Sequence, residues 1–503
     1  MRANAVISRR IKLFYLTAAF LIIVTGCLGF ILNGIAQEIL TMQDYISEKF
    51  PSALFQLYFK TLGELEAPEM EFLDLLAIQP SDRQMFYGKE VYYNGFTIDL
   101  LSQLKGEIED REKSIEKLAE EPLSSEPALI TLPPLKFWER ILARAVSIQK
   151  MVTTTYYNRF AMCGVDPSRS ERVVKRVRNY FDWTRQWVKE GQDVEALAEK
   201  AEIDGNIFLA RRLFHEAAGC YHIGDFINYH SVEEKYRAQE AARRCYGRAI
   251  ALYESEDRPI RLEIPFRGVD IPGYLMPANK PGQPLIIFVN VLDNIKEVEN
   301  HFFAQDFLKA GFNIFSFDGP GQGEMHSRMR LIPDYEQAII AIIDWFEANN
   351  NFHLDLERIG VIGLSFGGLF SVLAATQDNR IDCTVNNGGF AYFPPLKHIK
   401  KLSLPTRRSV YFMTGYHKIK EFWEEFGHID IKKSPPLERP MLIIQGGKDE
   451  VVPPEHAYYY MDWAAGKDKE FLFFEDSNHC CQDRFDIVLP YIIDWFRKHL
   501  LKQ

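Results

Sequence analysis

From Pro259 to the C-terminus, short runs of β-branched and aromatic residues alternate with longer stretches whose apolar residues recur at helical spacing. The runs are 260–265, 269–276, 285–290 (LIIFVN), 312–318 (FNIFSFD), 359–364 (IGVIGL), 383–386, 441–445 (MLIIQ) and 471–475. Helices are predicted between them at 299–310, 335–349, 367–376 and 487–500. Apolar runs of this kind mark strands buried on both faces, and strand–helix alternation demands a mostly parallel sheet covered by helices. Only the first two runs, with Gly268 between them, read as an antiparallel pair. A sheet covered on both sides is one core, so 259–503 is predicted to be one α/β domain.

Upstream, 38–258 reads as helical. A charged stretch, 103–121, ends at Pro122, and a Pro/Ser-rich segment with Pro122, Pro127, Pro133 and Pro134 follows as a linker or boundary. Apolar and aromatic residues then recur at helical spacing through Trp138, Ile141, Val146 and Tyr156. From Ala196 to Tyr253, small and aromatic residues (Ala210, Phe214, Ala217, Tyr221, Phe226, Ala241, Tyr246, Ala249) suit packed antiparallel helices. No fixed repeat period is present.

Residues 13–37 contain no Asp, Glu, Lys or Arg. As a helix this run would reach about 37 Å, enough for a hydrocarbon core of about 30 Å. Arg2, Arg9, Arg10 and Lys12 precede it, so a single-pass anchor would leave the tail in the cytoplasm and the rest outside. Two other readings stand beside the anchor. A cleaved signal is the second, since Val24-Thr25-Gly26-Cys27 resembles a lipoprotein signal with Cys27 as the lipid-bearing residue, and a buried or amphipathic N-terminal helix of a soluble, cytoplasmic protein is the third. The resulting division is 1–37 tail and anchor, 38–258 helical (cap) domain, 259–503 catalytic domain.

Charge excludes one function class. With 59 Lys+Arg against 69 Asp+Glu the net charge is −10, whereas a dedicated nucleic-acid binder carries a basic face. Seven cysteines, at 27, 163, 220, 245, 383, 480 and 481, form no C-x-x-C pair and no zinc spacing. His215, Cys220, His222 and His230 likewise fit no standard metal site and are expected to be packed or pocket-lining side chains. Neither a metal nor a cofactor is expected. The basic residues Lys397, Lys400, Lys401, Arg407 and Arg408 read as a solvated excursion, or as a cap or lipid-touching element.

The run 359–364 leads straight into Gly363-Leu364-Ser365-Phe366-Gly367-Gly368, a G-x-S-x-G pattern between strand and helix. Glycines on both sides allow a sharp turn that lifts a nucleophilic serine above the sheet, and the following helix aims its positive end at developing negative charge. Asp449 follows the run 441–445, where an acid can orient a histidine, with Glu450 as the adjacent alternative. After the last run, Glu475-Asp476-Ser477-Asn478-His479 supplies a loop histidine. The order Ser365, Asp449, His479 is nucleophile, acid, base. An oxyanion hole needs two backbone N–H groups. Phe366 is expected to give one and Leu292 the other, although Asn290-Val291 stands where many hydrolases place glycine.

The segment Phe317-Asp318-Gly319-Pro320-Gly321-Gln322-Gly323-Glu324, taken with the elbow, acid and histidine, resembles the α/β-hydrolase superfamily. More narrowly the chain is similar to the branch with an N-terminal helical domain: FrsA-like esterases, 2,6-dihydroxypseudooxynicotine hydrolases and fungal polyketide-shortening hydrolases. Phe214, Ala217, Tyr221, Phe226, Ile264-Pro265-Phe266 and Pro272-Gly273-Tyr274-Leu275 carry the likeness from about residue 200 onward. Residues 38–200 share only helical character, and the membrane run is not part of that pattern. The 318–324 loop reads by itself as a tight turn, whereas the resemblance implies that it borders the pocket.

The resemblance implies a serine hydrolase working through an acyl-enzyme on a small-molecule ester, or on a C–C bond next to a carbonyl in a ketone. The same triad would serve an acyltransferase. A non-catalytic membrane-anchored interaction protein on a hydrolase fold is the reading from a different class. The oligomeric state is not legible.

Overall fold

The computed structural model describes residues 132–135, 154–228, 230–278, 280–400 and 404–501, all within a compact unit spanning 99–503. The anchor run 13–37 with Cys27, the charged stretch 103–121 and the aromatic spacing from 136 to 153 lie outside the described residues. Among the described residues no helix is long and apolar enough to cross a membrane.

Helices come first: α1 (Thr154–Met162), α2 (Pro167–Arg176), α3 (Asp182–Ile203), α4 (Ile207–Phe226) and α5 (Val232–Ala251). Local chemistry sets their starts. Asp166 caps α2 by accepting from Ser168 N and Arg169 N, with Pro167 at the first helical position, where its missing N–H costs nothing. Ser231 caps α5 by accepting from Glu234 N. Small residues on α4 and α5 (Ala217, Ala218, Ala238, Ala241, Ala242) let the helices approach, and Phe160, Trp183, Trp187, Tyr221 and Tyr246 fill the space between.

The sheet follows as β1 (Ile260–Phe266), β2 (Val269–Met276), β3 (Pro284–Val289), α6 (Glu299–Lys309), β4 (Asn313–Phe317), α7 (Glu336–Ala348), β5 (Asp355–Leu364), α8 (Phe366–Gln377) and β6 (Ile381–Asn387). Then come α9 (Leu396–Ile399), α10 (Leu404–Thr414), α11 (Ile419–Phe426), β7 (Met441–Gly446), α12 (Glu455–Trp463), β8 (Lys469–Phe474) and α13 (Phe485–Leu500). The eight strands lie in the order β1-β2-β4-β3-β5-β6-β7-β8. β1 and β2 pair antiparallel, as do β2 and β4; every pair from β4–β3 to β7–β8 is parallel. The predicted runs and the observed strands differ by only a few residues at their ends.

Alternation along each strand divides the core. Leu285, Ile287 and Val289 of β3 face one layer with α7 and α8 (Ile339, Ile342, Leu369, Phe370). Ile286 and Phe288 face the other with α6 and α13 (Ala304, Phe307, Val488, Trp495, Phe496). Strand order reverses about β3, which has β4 on one side and β5 on the other. In parallel sheets the crevice beyond the strand ends opens at such a point.

The basic stretch is not a solvated excursion. Leu396–Ile399, Leu404–Thr414 and Ile419–Phe426 are three short helices, and Val410, Phe412, Met413, Phe422 and Phe426 join the main core; Lys401 lies outside the described residues. Arg408 is buried and its Nη1 donates to the carbonyl of Pro133 at 2.8 Å. Lys397 and Lys400 remain exposed. Apolar residues at helical spacing between the basic ones decided the outcome, because burying them outweighs solvating the arginine stem.

Candidate active site

β5 ends at Leu364 and α8 begins at Phe366, so a single residue, Ser365, makes the turn. It adopts φ 52° and ψ −118°, a conformation that costs a non-glycine residue roughly 1–3 kcal/mol. The surroundings over-determine it. Ser365 N donates to Asn387 O at 2.8 Å, and Gly368 N donates to Ser365 O at 3.0 Å. The turn needs bare backbone on both sides. A Cβ at Gly363 would meet Gly367 O at 2.1 Å, and one at Gly367 would meet Val289 O at 2.5 Å and Asn290 O at 2.7 Å. The second approach seats the loop after β3 directly against the elbow.

Three loops bring the sequence-predicted trio together. Ser365 Oγ lies 2.8 Å from His479 Nε2, and His479 Nδ1 lies 2.8 Å from Asp449 Oδ2. Asp449 is buried and fixed from several directions. Its Oδ1 accepts from Val451 N at 2.9 Å and Val452 N at 2.8 Å, and its Oδ2 accepts from Gln445 Nε2 at 3.3 Å. Glu450, the alternative acid, faces solvent. With Nδ1–H donating to the carboxylate, Nε2 is free to accept the serine proton.

Cys480 was not foreseen as part of this group. Its Sγ lies 3.5 Å from His479 Nε2 and donates to Asn387 O at 3.4 Å. Cys480 and Cys481 both have positive φ (56° and 51°). Two consecutive left-handed non-glycine residues store strain directly after the histidine. The pKa of His479 lies above the ordinary histidine range. Burial works against its charge, but the Cys480 sulfur and the hydrogen-bonded Asp449 carboxylate together outweigh it. The vicinal cysteine pair was the only sequence signal for this.

Phe366 N begins α8, where the first N–H groups have no helical partner. Beside it, the Asn290–Leu292 turn contains no positive φ, although glycine would ordinarily be expected there. Among the described residues no protein acceptor meets the N–H of Leu292 or of Phe366.

A second polar group ties the helical layer to the loop after β3. Arg159 on α1 donates to Asp293 (Nη2···Oδ1 3.0 Å, Nη1···Oδ2 3.2 Å) and to Glu299 Oε1 at 2.7 Å. His222 Nδ1 meets Asp225 Oδ2 at 3.2 Å and its Nε2 lies 3.7 Å from Glu299. Burial opposes charge on both, yet His222 is held up at about 9 by Asp225 and Glu299, and Glu299 down at about 2 by Arg159 and His222. Cys163, His222 and Glu299 offer donor atoms within 4.8 Å of one another, but Glu299 Oε1 is already met by Arg159 and faced by the raised His222, so side chains supply the positive charge of this cluster. His215 and His230 lie elsewhere: His215 stacks on His301 with centroids 4.3 Å apart, and His230 packs against Tyr180 and Phe181.

A mostly parallel eight-stranded sheet with a serine at the strand–helix turn defines an α/β-hydrolase. Known proteins agree. The model of the prolyl oligopeptidase family matches residues 304–503, and that of the esterase FrsA-like family matches residues 145–392. The chain is 26% identical to the 2,6-dihydropseudooxynicotine hydrolase of Paenarthrobacter nicotinovorans over 335 residues, covering 65% of this chain and 87% of that one. It is 26% identical to the hydrolyase poxO of Penicillium oxalicum, covering 41% of this chain, and it spans about half the length of that relative (51%). The crystal structure of the 2,6-dihydroxy-pseudo-oxynicotine hydrolase superposes with a TM-score of 0.62 at 23% identity, covering 69% of this chain and 96% of that one. The chain is thus an α/β-hydrolase of the branch that includes the FrsA-like esterases and the 2,6-dihydropseudooxynicotine hydrolase, and a hydrolytic enzyme of esterase- or peptidase-like type.

Proposed function

We propose that the chain is a serine hydrolase that cleaves a small-molecule ester, or a C–C bond next to a carbonyl, through an acyl-enzyme on Ser365. The observation that carries this is the unbroken relay from Ser365 Oγ through His479 to Asp449, with both contacts at 2.8 Å. In this reading Oγ attacks the substrate carbonyl while its proton passes to Nε2. The oxyanion forms against the N–H groups of Phe366 and Leu292. Its collapse expels the leaving group, which takes the proton from His479. Water then attacks the acyl carbonyl, gives a proton to His479, and releases the acid as the proton returns to Ser365. Asp449 holds the tautomer and stabilises the imidazolium.

The two substrate classes come from the relatives. The helices α1 to α5 serve as the cap over the pocket, and the uncharged run 13–37 supports a membrane-tethered enzyme with its catalytic domain outside the cytoplasm.

A fluorophosphonate probe tests the chemistry. The expected result is one adduct, on Ser365, absent in Ser365→Ala and in denatured protein. A folded parent protein that takes no adduct would sink the proposal. Parallel panels of short-chain esters and β-diketones then separate the two substrate classes. For the tether, full-length protein should sediment with membranes at high speed and be released by detergent; protein that stays in the supernatant overturns it.

A further inference from the structure

The segment 318–324 makes more buried hydrogen bonds than a tight turn requires. Asp318 is fully buried. Its Oδ1 accepts from Asn290 Nδ2 at 3.3 Å and Lys296 N at 2.8 Å, and its Oδ2 accepts from Lys296 Nζ at 2.9 Å and Glu324 N at 2.9 Å. Four residues on, Gln322 is also buried. Its Oε1 accepts from Tyr335 Oη at 2.6 Å and Gly319 N at 3.2 Å. Its Nε2 donates to Val291 O at 2.8 Å and Asn290 O at 3.3 Å. Because two donors engage the oxygen, the amide has one orientation, with the NH₂ toward the two carbonyls.

That orientation has a consequence one residue on. No peptide bond among the described residues is cis, and across a trans peptide the C=O of one residue and the N–H of the next point to opposite sides. Drawing Val291 O toward Gln322 therefore turns Leu292 N–H to the opposite side. The same loop lies against the elbow, where Asn290 O would meet a Cβ on Gly367 at 2.7 Å.

We infer that Gln322 is a positioning residue for the oxyanion hole: by clamping the carbonyls of Asn290 and Val291 it aims Leu292 N–H at the space above Ser365 Oγ that Phe366 N–H also serves. This rests on the serine-hydrolase reading. It also accounts for Asn290-Val291 at a turn where glycine is usual. A peptide orientation otherwise reached through positive φ is here imposed by a side chain, without positive φ. The 318–324 loop is then more than a bare turn: it frames the oxyanion loop.

The test is the second-order rate of phosphonylation by a fluorophosphonate. In that step the Oγ–P bond forms, the P–F bond breaks, fluoride leaves and the serine proton passes to His479. Charge developing on the phosphoryl oxygen draws on the same two N–H donors. Gln322→Leu removes the clamp. Gln322→Glu keeps size and the acceptor but faces the carbonyls with a second acceptor, and serves if the first variant fails to fold by circular dichroism. Both are expected to react about 10²-fold more slowly or worse, with the midpoint of the pH–rate profile unmoved because His479 and Asp449 are untouched. Rates equal to the parent's, or a loss accompanied by a moved midpoint, overturn the inference. A parent that is not labelled, or Ser365→Ala labelled as fast as the parent, instead overturns the hydrolase reading itself.

Discussion

Arg159 and Asp293 form a two-bond pair between the first helix and the loop that follows β3, one residue beyond Leu292. The same guanidinium satisfies Glu299, so one cation holds two carboxylates where the helical layer meets the catalytic sheet. Arg159→Met leaves both without it, Glu299 in particular being buried. Removing one partner of a fully buried pair costs about 3–5 kcal/mol; with Asp293 partly exposed and His222 still beside Glu299, the expected loss lies toward the lower end of that range. Equilibrium urea unfolding should show that loss as a lower midpoint with an unchanged slope.

The same cluster sets a pH window. The Glu299 carboxyl is held near 2 against an ordinary 4.5, so its contribution is present above about 4.5 and disappears as the pH falls toward 2. His222 is held near 9 against 6.5, so its contribution is complete below about 6.5 and disappears as the pH rises through 9. Melting temperatures measured across pH should flatten on the acid side in Glu299→Gln and on the alkaline side in His222→Gln. If neither limb changes in its variant, these two groups do not carry the dependence.

Catalysis should have its own pH signature. In the proposed mechanism His479 works as neutral imidazole, and Cys480 and Asp449 raise its pKa. The ascending limb of kcat/KM therefore lies above the ordinary histidine range. Cys480→Ala removes one of the two raising influences, and its midpoint should move to lower pH while the high-pH plateau is kept. An unmoved midpoint would show that the sulfur 3.5 Å away does not act on the imidazole.

Gly367→Ala tests the contact between the elbow and the loop after β3, the proposed oxyanion loop. The new Cβ would stand 2.5 Å from Val289 O and 2.7 Å from Asn290 O, both backbone atoms with nowhere to yield. A shift of about 1 Å in a positioned donor can cost 10²-fold in rate. The expectation is a loss of that order in kcat with a smaller change in KM. Unchanged kcat in a folded variant would mean that this loop takes no part in the chemistry.

Much of this molecule is legible along the chain. The eight strands, their mostly parallel pairing and the helices between them follow from runs such as LIIFVN and MLIIQ, because a strand buried on both faces has to be apolar throughout. Ser365, Asp449 and His479 are legible for a related reason: each follows a recognisable strand, and the C-terminal ends of parallel strands lie on one edge of the sheet.

Part of what the chain did not disclose is long-range: Gln322 beneath Val291 and Arg159 across to Asp293 have no local signature. Cys480 and Gln445 are near His479 and Asp449 in sequence, but adjacency alone does not say that their side chains turn toward those two residues. Arg408 misled because its neighbours in sequence are basic, while its neighbours in space are Pro133 and the core. Periodicity reports which side of an element is apolar, so sequence alone determined the sheet, its covering and the loops that carry the reactive groups. Hydrogen-bond partners of buried polar atoms are selected by how folding orients side chains and brings distant loops within hydrogen-bond reach, so only the tertiary structure decided how those loops are held in register.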